Sequence, residues 1–135
     1  MTSDKLDNLV RIRQLKSGPA TKEEIAGLLR SGTVRLADAK NENLSQESRF
    51  DLAYNAAHAL SLAALRQAGY RSENRYLVFQ CTQHTLNLEP AQWRVLDQAH
   101  RKRNLAEYEG DIDIDGQLLD ALIRVADSIA DKLQK

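Results

Sequence analysis

Apolar residues along this chain recur every three or four positions, and they almost nowhere alternate with polar ones, which predicts helices and not strands. Leu6, Leu9, Ile12 or Val10, and Leu15 share one face of a helix predicted over Asp4 to Lys16, ended by Ser17-Gly18-Pro19. Thr21 with Glu24 three residues on fits a capping box. The helix it opens carries Ile25, Leu28, Leu29, Leu36 and Ala39 inward, and Ser31-Gly32 is expected to bend it. Ser45 caps the third helix, which runs to about Gly69 with Phe50, Ala53, Ala57, Leu60 and Ala64 as its buried stripe. Its many alanines allow neighbouring helices to approach closely.

Gly69 to Asn74 reads as a turn. A shorter helix follows over Arg75 to Leu86, and then a break at Leu88-Glu89-Pro90, with Pro90 suited to a first helical turn. The next helix reaches about Tyr108, and Glu109 to Asp115 is a loop. The last helix, Gly116 to Leu133, turns Leu118 or Leu119, Leu122, Val125 or Ala126, Ile129 and Leu133 inward. The fold expected is all-α: an antiparallel, up-and-down bundle of about five to six helices. With 135 residues it forms one domain, the first helix in residues 1–18 and the bundle in residues 19–135.

Composition narrows the function classes. Nineteen Lys and Arg balance 19 Asp and Glu, so no global basic footprint marks a dedicated duplex binder. A local basic patch does exist at Arg101-Lys102-Arg103. Cys81 is the one cysteine, which excludes an internal disulfide and a multi-cysteine zinc site and fits a reducing cytoplasm. The first residues carry no apolar signal segment, and the Leu52–Leu65 run is too short and too interrupted to span a bilayer. A cytoplasmic protein with no membrane association is the expectation. No phosphate-binding glycine loop, Ser/His/Asp arrangement or His-Glu-x-x-His pattern is present, and no metal or cofactor is expected. Asp111-Ile112-Asp113-Ile114-Asp115-Gly116 imitates the start of a calcium loop, but Leu122 stands where the bidentate glutamate belongs. Asp113 or Asp115 is instead expected to cap the last helix.

The candidate chemistry centres on one helix. On a wheel of 100° per residue Arg103 falls between Leu96 and Ala99, inside the apolar arc that also holds Val95 and Ala106. His100 and Glu107 flank it. Two readings stand: an i,i+4 ion pair of Arg103 with Glu107 at a bundle edge, or a guanidinium held in an inner groove to bind phosphate. On the third helix Asp51, Tyr54 and His58 fall on one side. That stripe is either a hydrated helix edge or the wall facing Arg103, with Asp51 orienting the arginine. His100 is either a surface histidine or an imidazole serving the same groove. Cys81 and His84 sit at i,i+3 without further ligands, so a buried cysteine is the reading there.

Arg103-Asn104 followed by an aromatic residue, ahead of an acidic loop and a last helix, resembles the signature region of HEPN domains. The stretch from Arg49 to Leu60, with Ala64-Leu65 and Gly69-Tyr70, is similar to the central helix of that family and the turn after it. The resemblance covers roughly Leu36 to Leu133. It implies a helical bundle, usually dimeric, that either cleaves RNA without metal through an Arg and a His at a dimer cleft, or serves as the helical partner of a small nucleotidyltransferase or antitoxin, or binds nucleotides. Carried over, the arginine is Arg103 and the asparagine Asn104, while Tyr108 occupies the position of the family's histidine. A phenol titrates near 10 and exchanges protons poorly at neutral pH. The departure favours a partner or binding module, with nucleotide or RNA phosphate held by Arg101, Lys102, Arg103, Asn104, Asp51, Tyr54 and His58. The alternative is a metal-independent endoribonuclease using Arg103 with Tyr108 or His100. A homodimer is the expected assembly; the alanine-rich helix is one face that could pack across a two-fold axis, and the sequence does not fix which surface is used.

Overall fold

The computed structural model describes residues 4–109 and 114–134, and side chains at 107–109 fall outside that description. It is an all-α bundle of six helices: α1 (Asp4–Arg11), α2 (Lys22–Ala39), α3 (Gln46–Gln67), α4 (Arg75–Thr85), α5 (Pro90–Glu109) and α6 (Gly116–Leu133). Each helix from α2 onward packs against the next, because short connections return the chain, and α3 touches α2, α4, α5 and α6. No described helix is long and apolar enough to cross a membrane.

Helix starts follow local chemistry. Thr21 accepts from the backbone N–H of Glu24, Ser45 from Ser48, Asn74 from Leu77 and Asp115 from Gln117, each satisfying an amide that the helix leaves open. Of the two aspartates expected to cap α6, Asp115 does so, and Asp113 and the rest of the calcium-like stretch before Ile114 lie outside the described residues. The capping box at α2 is only half formed. Thr21 caps, but the Glu24 carboxylate turns instead to Arg66.

The central helix is spent inside the molecule. Ala53, Ala56, Ala57 and Ala63 are fully buried, together with Phe50, Tyr54 and Leu60. They meet Leu36, Leu96, Leu119, Leu122 and Ile129 from the surrounding helices in the main core. Its small side chains serve close approach of neighbouring helices within one chain. Ser31-Gly32, a place where α2 could bend, does not interrupt it. α2 runs through it unbroken, and Gly32 faces Leu60, whose Cγ would lie 2.6 Å from an added Cβ.

The N-terminal segment departs most from expectation. α1 ends at Arg11, not Lys16, and Ile12 is exposed. Arg13 adopts a left-handed backbone (φ 63°), which reverses the chain and lets Leu9 O accept from Gln14 and Leu15. The chain then forms a two-residue strand, β1 (Lys16–Ser17), paired antiparallel with β2 (Tyr70–Arg71). The turn expected over Gly69 to Asn74 thus contains a strand. Gly69 opens it at φ 93°, a conformation that suits glycine. Leu6, Leu15, Leu65, Tyr70, Leu77, Val78 and Cys81 form a second core beneath this ladder. Tyr70 donates its hydroxyl to Asp7, which pins α1 and pushes the phenol up to about 12.

Arg66, at the end of α3, locks the two parts together. Its Nε donates to Glu24 at 2.6 Å, and its terminal nitrogens donate to the carbonyls of Gly18, Pro19 and Tyr70 and to the second Glu24 oxygen. Every guanidinium N–H direction is used, so this cation tolerates 6% exposure.

Candidate functional site

The polar residues that sequence reasoning placed on α3 and α5 meet where these helices pack beside the start of α4. Tyr54 is the floor. Its ring is completely buried, and its hydroxyl lies 2.9 Å from Nδ1 of His100 on α5. The two rings stack at 6.2 Å and 24°. The Arg103 guanidinium sits 4.7 Å from the Tyr54 ring centroid, and Arg75, from α4, sits 5.7 Å from the same ring. Both distances are in the range of cation–π attraction. Arg103 is half-buried and its Nε lies 3.6 Å from Asp51 Oδ1, where the carboxylate is 63% exposed.

The wheel reading of α5 is thereby realised in space: a guanidinium on the apolar arc lies over an aromatic ring. Glu107, its i,i+4 alternative partner, lies outside the described side chains, as does the candidate Tyr108. Asp51 does face Arg103 across the helix pair, as the stripe on α3 predicted.

His100 belongs to the cluster and is half-buried. It is walled by Tyr54, Tyr76 and Phe79, with Tyr76 at 5.2 Å and Phe79 at 6.2 Å between ring centroids. Asn104, one turn on, places its side-chain nitrogen 3.2 Å from Nε2. Both imidazole nitrogens are thus engaged. A neutral ring carries one N–H, so it donates at one end and accepts at the other. Burial lowers the His100 pKa, with Arg103, Arg101 and Arg75 acting in the same direction and Asp97 opposing. His58 packs edge-on against Phe79 and is pushed down to about 4, first by burial and then by the charges of Arg75, Arg103 and His100. Both imidazoles are therefore neutral at pH 7. Burial also raises the Tyr54 hydroxyl, against the pull of the two arginines.

Two predicted residues lie at the edge. Arg101 bonds Asp97 on its own helix at 3.1 Å and is 68% exposed, and from that outer rim its charge reaches Tyr76 and His100. Lys102 lies about 100° round α5 from Arg103, on the side of Val95. Cys81 is buried in the second core, and burial pushes its thiol up to about 11.

Arg75 is the residue that sequence reasoning missed. It follows the N-cap Asn74, donates to Asn55 Oδ1 at 3.0 Å and reaches the Tyr54 ring. An arginine at the start of a helix reads as an ordinary solvated charge, and nothing local distinguishes it. Tyr76 was missed for the same reason, although it links His100 to Trp93 at 5.7 Å. The resulting surface offers planar guanidinium forks, a neutral imidazole and an amide above an aromatic floor. Such a set binds a phosphate oxyanion through charge-assisted hydrogen bonds.

Comparison with protein-family models, with curated proteins and with solved structures finds no match to this chain.

Proposed function

We propose that this protein is a HEPN-like helical module that binds the phosphate of a nucleotide or an RNA at the cluster around Arg103, and that it works beside a partner such as a small nucleotidyltransferase or an antitoxin. The observation that carries the reading is the convergence of Arg103 and Arg75, from different helices, on the ring of Tyr54. Two like charges drawn to one aromatic surface repel each other, and an anion between them relieves that repulsion. A homodimer is part of the proposal.

Binding of a fluorescent dinucleotide, followed by anisotropy, tests it. Arg103→Ala and Arg75→Ala are each expected to weaken binding about tenfold, and wild-type affinity is expected to fall as salt rises. Unchanged affinity in both variants overturns the reading.

His100 supports a second reading, a metal-independent endoribonuclease. Its neutral imidazole lies beside Arg103, and once a substrate displaces the Asn104 amide from Nε2 that nitrogen can take a proton from a ribose 2′-hydroxyl while Nδ1 stays on the Tyr54 hydroxyl. The 2′-oxygen then attacks phosphorus, and the 5′-oxygen leaves with a proton taken from water, giving a 2′,3′-cyclic phosphate and a 5′-hydroxyl. Metal-free incubation with single-stranded RNA distinguishes the readings: cleavage lost in both Arg103→Ala and His100→Ala supports the enzyme.

A further inference from the structure

A second concentration of positive charge lies at the other end of the α4 N-terminus. The two-stranded ladder places Lys16 directly opposite Arg71, and both side chains are exposed. Like charges paired across strands disfavour the pairing unless something anionic joins them. Both residues line one cavity of about 440 Å³, together with Arg13, whose left-handed backbone aims the chain back over it. Arg66 forms part of the wall, but its donors are all committed to Glu24 and to backbone carbonyls. Glu24 is hydrogen-bonded to Arg66 and its charge also reaches Arg71, and Glu73 is the other carboxylate on the rim. Lys16, Arg71 and Arg13 are the cations positioned to meet a ligand there.

The cavity is continuous in its walls with the cluster around Arg103. A neighbouring cavity of about 460 Å³ shares Arg13, Gln14 and Asn74 with the first and is lined on its far side by Tyr76. Tyr76 in turn packs against His100. Three consecutive residues make the connection: Asn74 lines both cavities, Arg75 reaches Tyr54, and Tyr76 lines the second cavity and touches the cluster.

We propose that the Lys16–Arg71–Arg13 cavity is a second phosphate subsite, joined to the Arg103 cluster by Tyr76, and that together they form a track for a single-stranded oligonucleotide several nucleotides long. This rests on the phosphate-binding reading of the Arg103 cluster. Cations at both ends with a partly exposed aromatic ring, Tyr76, between them are the ordinary means of holding a single strand by its backbone and one stacked base.

Two fluorescent probes test the track: a uridine dinucleotide and an oligouridylate of about eight nucleotides. The double variant Lys16→Ala/Arg71→Ala is expected to weaken the longer probe about tenfold, to lower its salt slope by roughly 1.4, and to leave the dinucleotide unchanged. Its melting temperature is expected to hold or rise, because the opposed charges are gone. Arg103→Ala is expected to weaken both probes. The track is overturned if the double variant binds the longer probe as the wild type does, or loses both probes equally. If Arg103→Ala changes neither probe while the double variant loses the longer one, the cavity is a phosphate site in its own right and the Arg103 reading fails. Absence of wild-type binding to either probe sinks both.

Discussion

The Tyr54 hydroxyl lies 2.9 Å from Nδ1 of His100, a contact between α3 and α5 made by residues 46 positions apart. It ties a fully buried ring to the half-buried imidazole of the candidate site. Tyr54→Phe removes the hydroxyl and keeps the ring, so the core and the arginine contacts stay. The expected cost is about 1 kcal/mol of stability, the net worth of one such hydrogen bond, with dinucleotide binding retained. Urea denaturation checks it, and a variant as stable as the wild type shows that the contact contributes nothing.

His58 makes stability depend on acid. Its folded pKa of about 4 lies below the ordinary 6.5, so the unfolded chain binds the proton first. The stabilising contribution is fully present above pH 6.5 and drains away as pH falls from 6.5 to about 4. The loss attributable to this group is at most about 3 kcal/mol. His100, also lowered, acts in the same direction. Urea melts of wild type and His58→Gln at about pH 7.5 and about pH 4.5 measure it. The variant is expected to lose less stability than the wild type on acidification, and parallel losses contradict the assignment.

Gly32 is held at a close approach of α2 to α3. A methyl group there would lie 2.6 Å from Leu60 Cγ, 2.7 Å from its Cδ2 and 3.3 Å from the Ala56 carbonyl. Helix propensity favours Gly32→Ala by about 1 kcal/mol, but overpacking against a buried leucine costs about 1–3 kcal/mol. The net expectation is a loss of about 1 kcal/mol, and a gain of stability in Leu60→Ala when Gly32→Ala is added to it. Thermal melts of the four proteins of this double-mutant cycle give the sign of the coupling.

Arg66 holds Gly18, Pro19, Tyr70 and Glu24 around one guanidinium. Arg66→Met leaves the carbonyls without their donor and is expected to cost about 1–3 kcal/mol, while the exposed Glu24 carboxylate is taken up by water. Arg66→Lys recovers little of it, since an ammonium cannot reach several carbonyls in a plane. Chemical denaturation of both variants decides, and full rescue by lysine would mean that charge alone matters.

Much of the fold was legible because helix signals are local. Thr21, Ser45 and Asp115 cap where their types predict, Pro90 opens α5, and the apolar spacing of α3 and α6 matches their buried faces. The first strand was not legible. Lys16-Ser17 carries no strand pattern, and its hydrogen bonds go to Tyr70-Arg71, far along the chain. The placing of Arg103 on an apolar arc was also readable, since a wheel needs only sequence. That the α3 stripe holding Tyr54 faces it was one of two readings the sequence left open, and that Arg75 joins it was not readable at all.

The sequence by itself determined which segments are helical, where most of them begin and end, and which faces they bury, because capping and 3.6-residue periodicity act within a few residues. Only the tertiary structure decided the site. His100, Tyr54, Arg75 and Arg103 come from three helices, and their meeting depends on how those helices pack. The same holds for Arg66, which a sequence reads as a solvated helix end and the fold encloses in carbonyls. Burial and charge partners are properties of the packed whole, so the chemistry of these groups appears only when the helices are assembled.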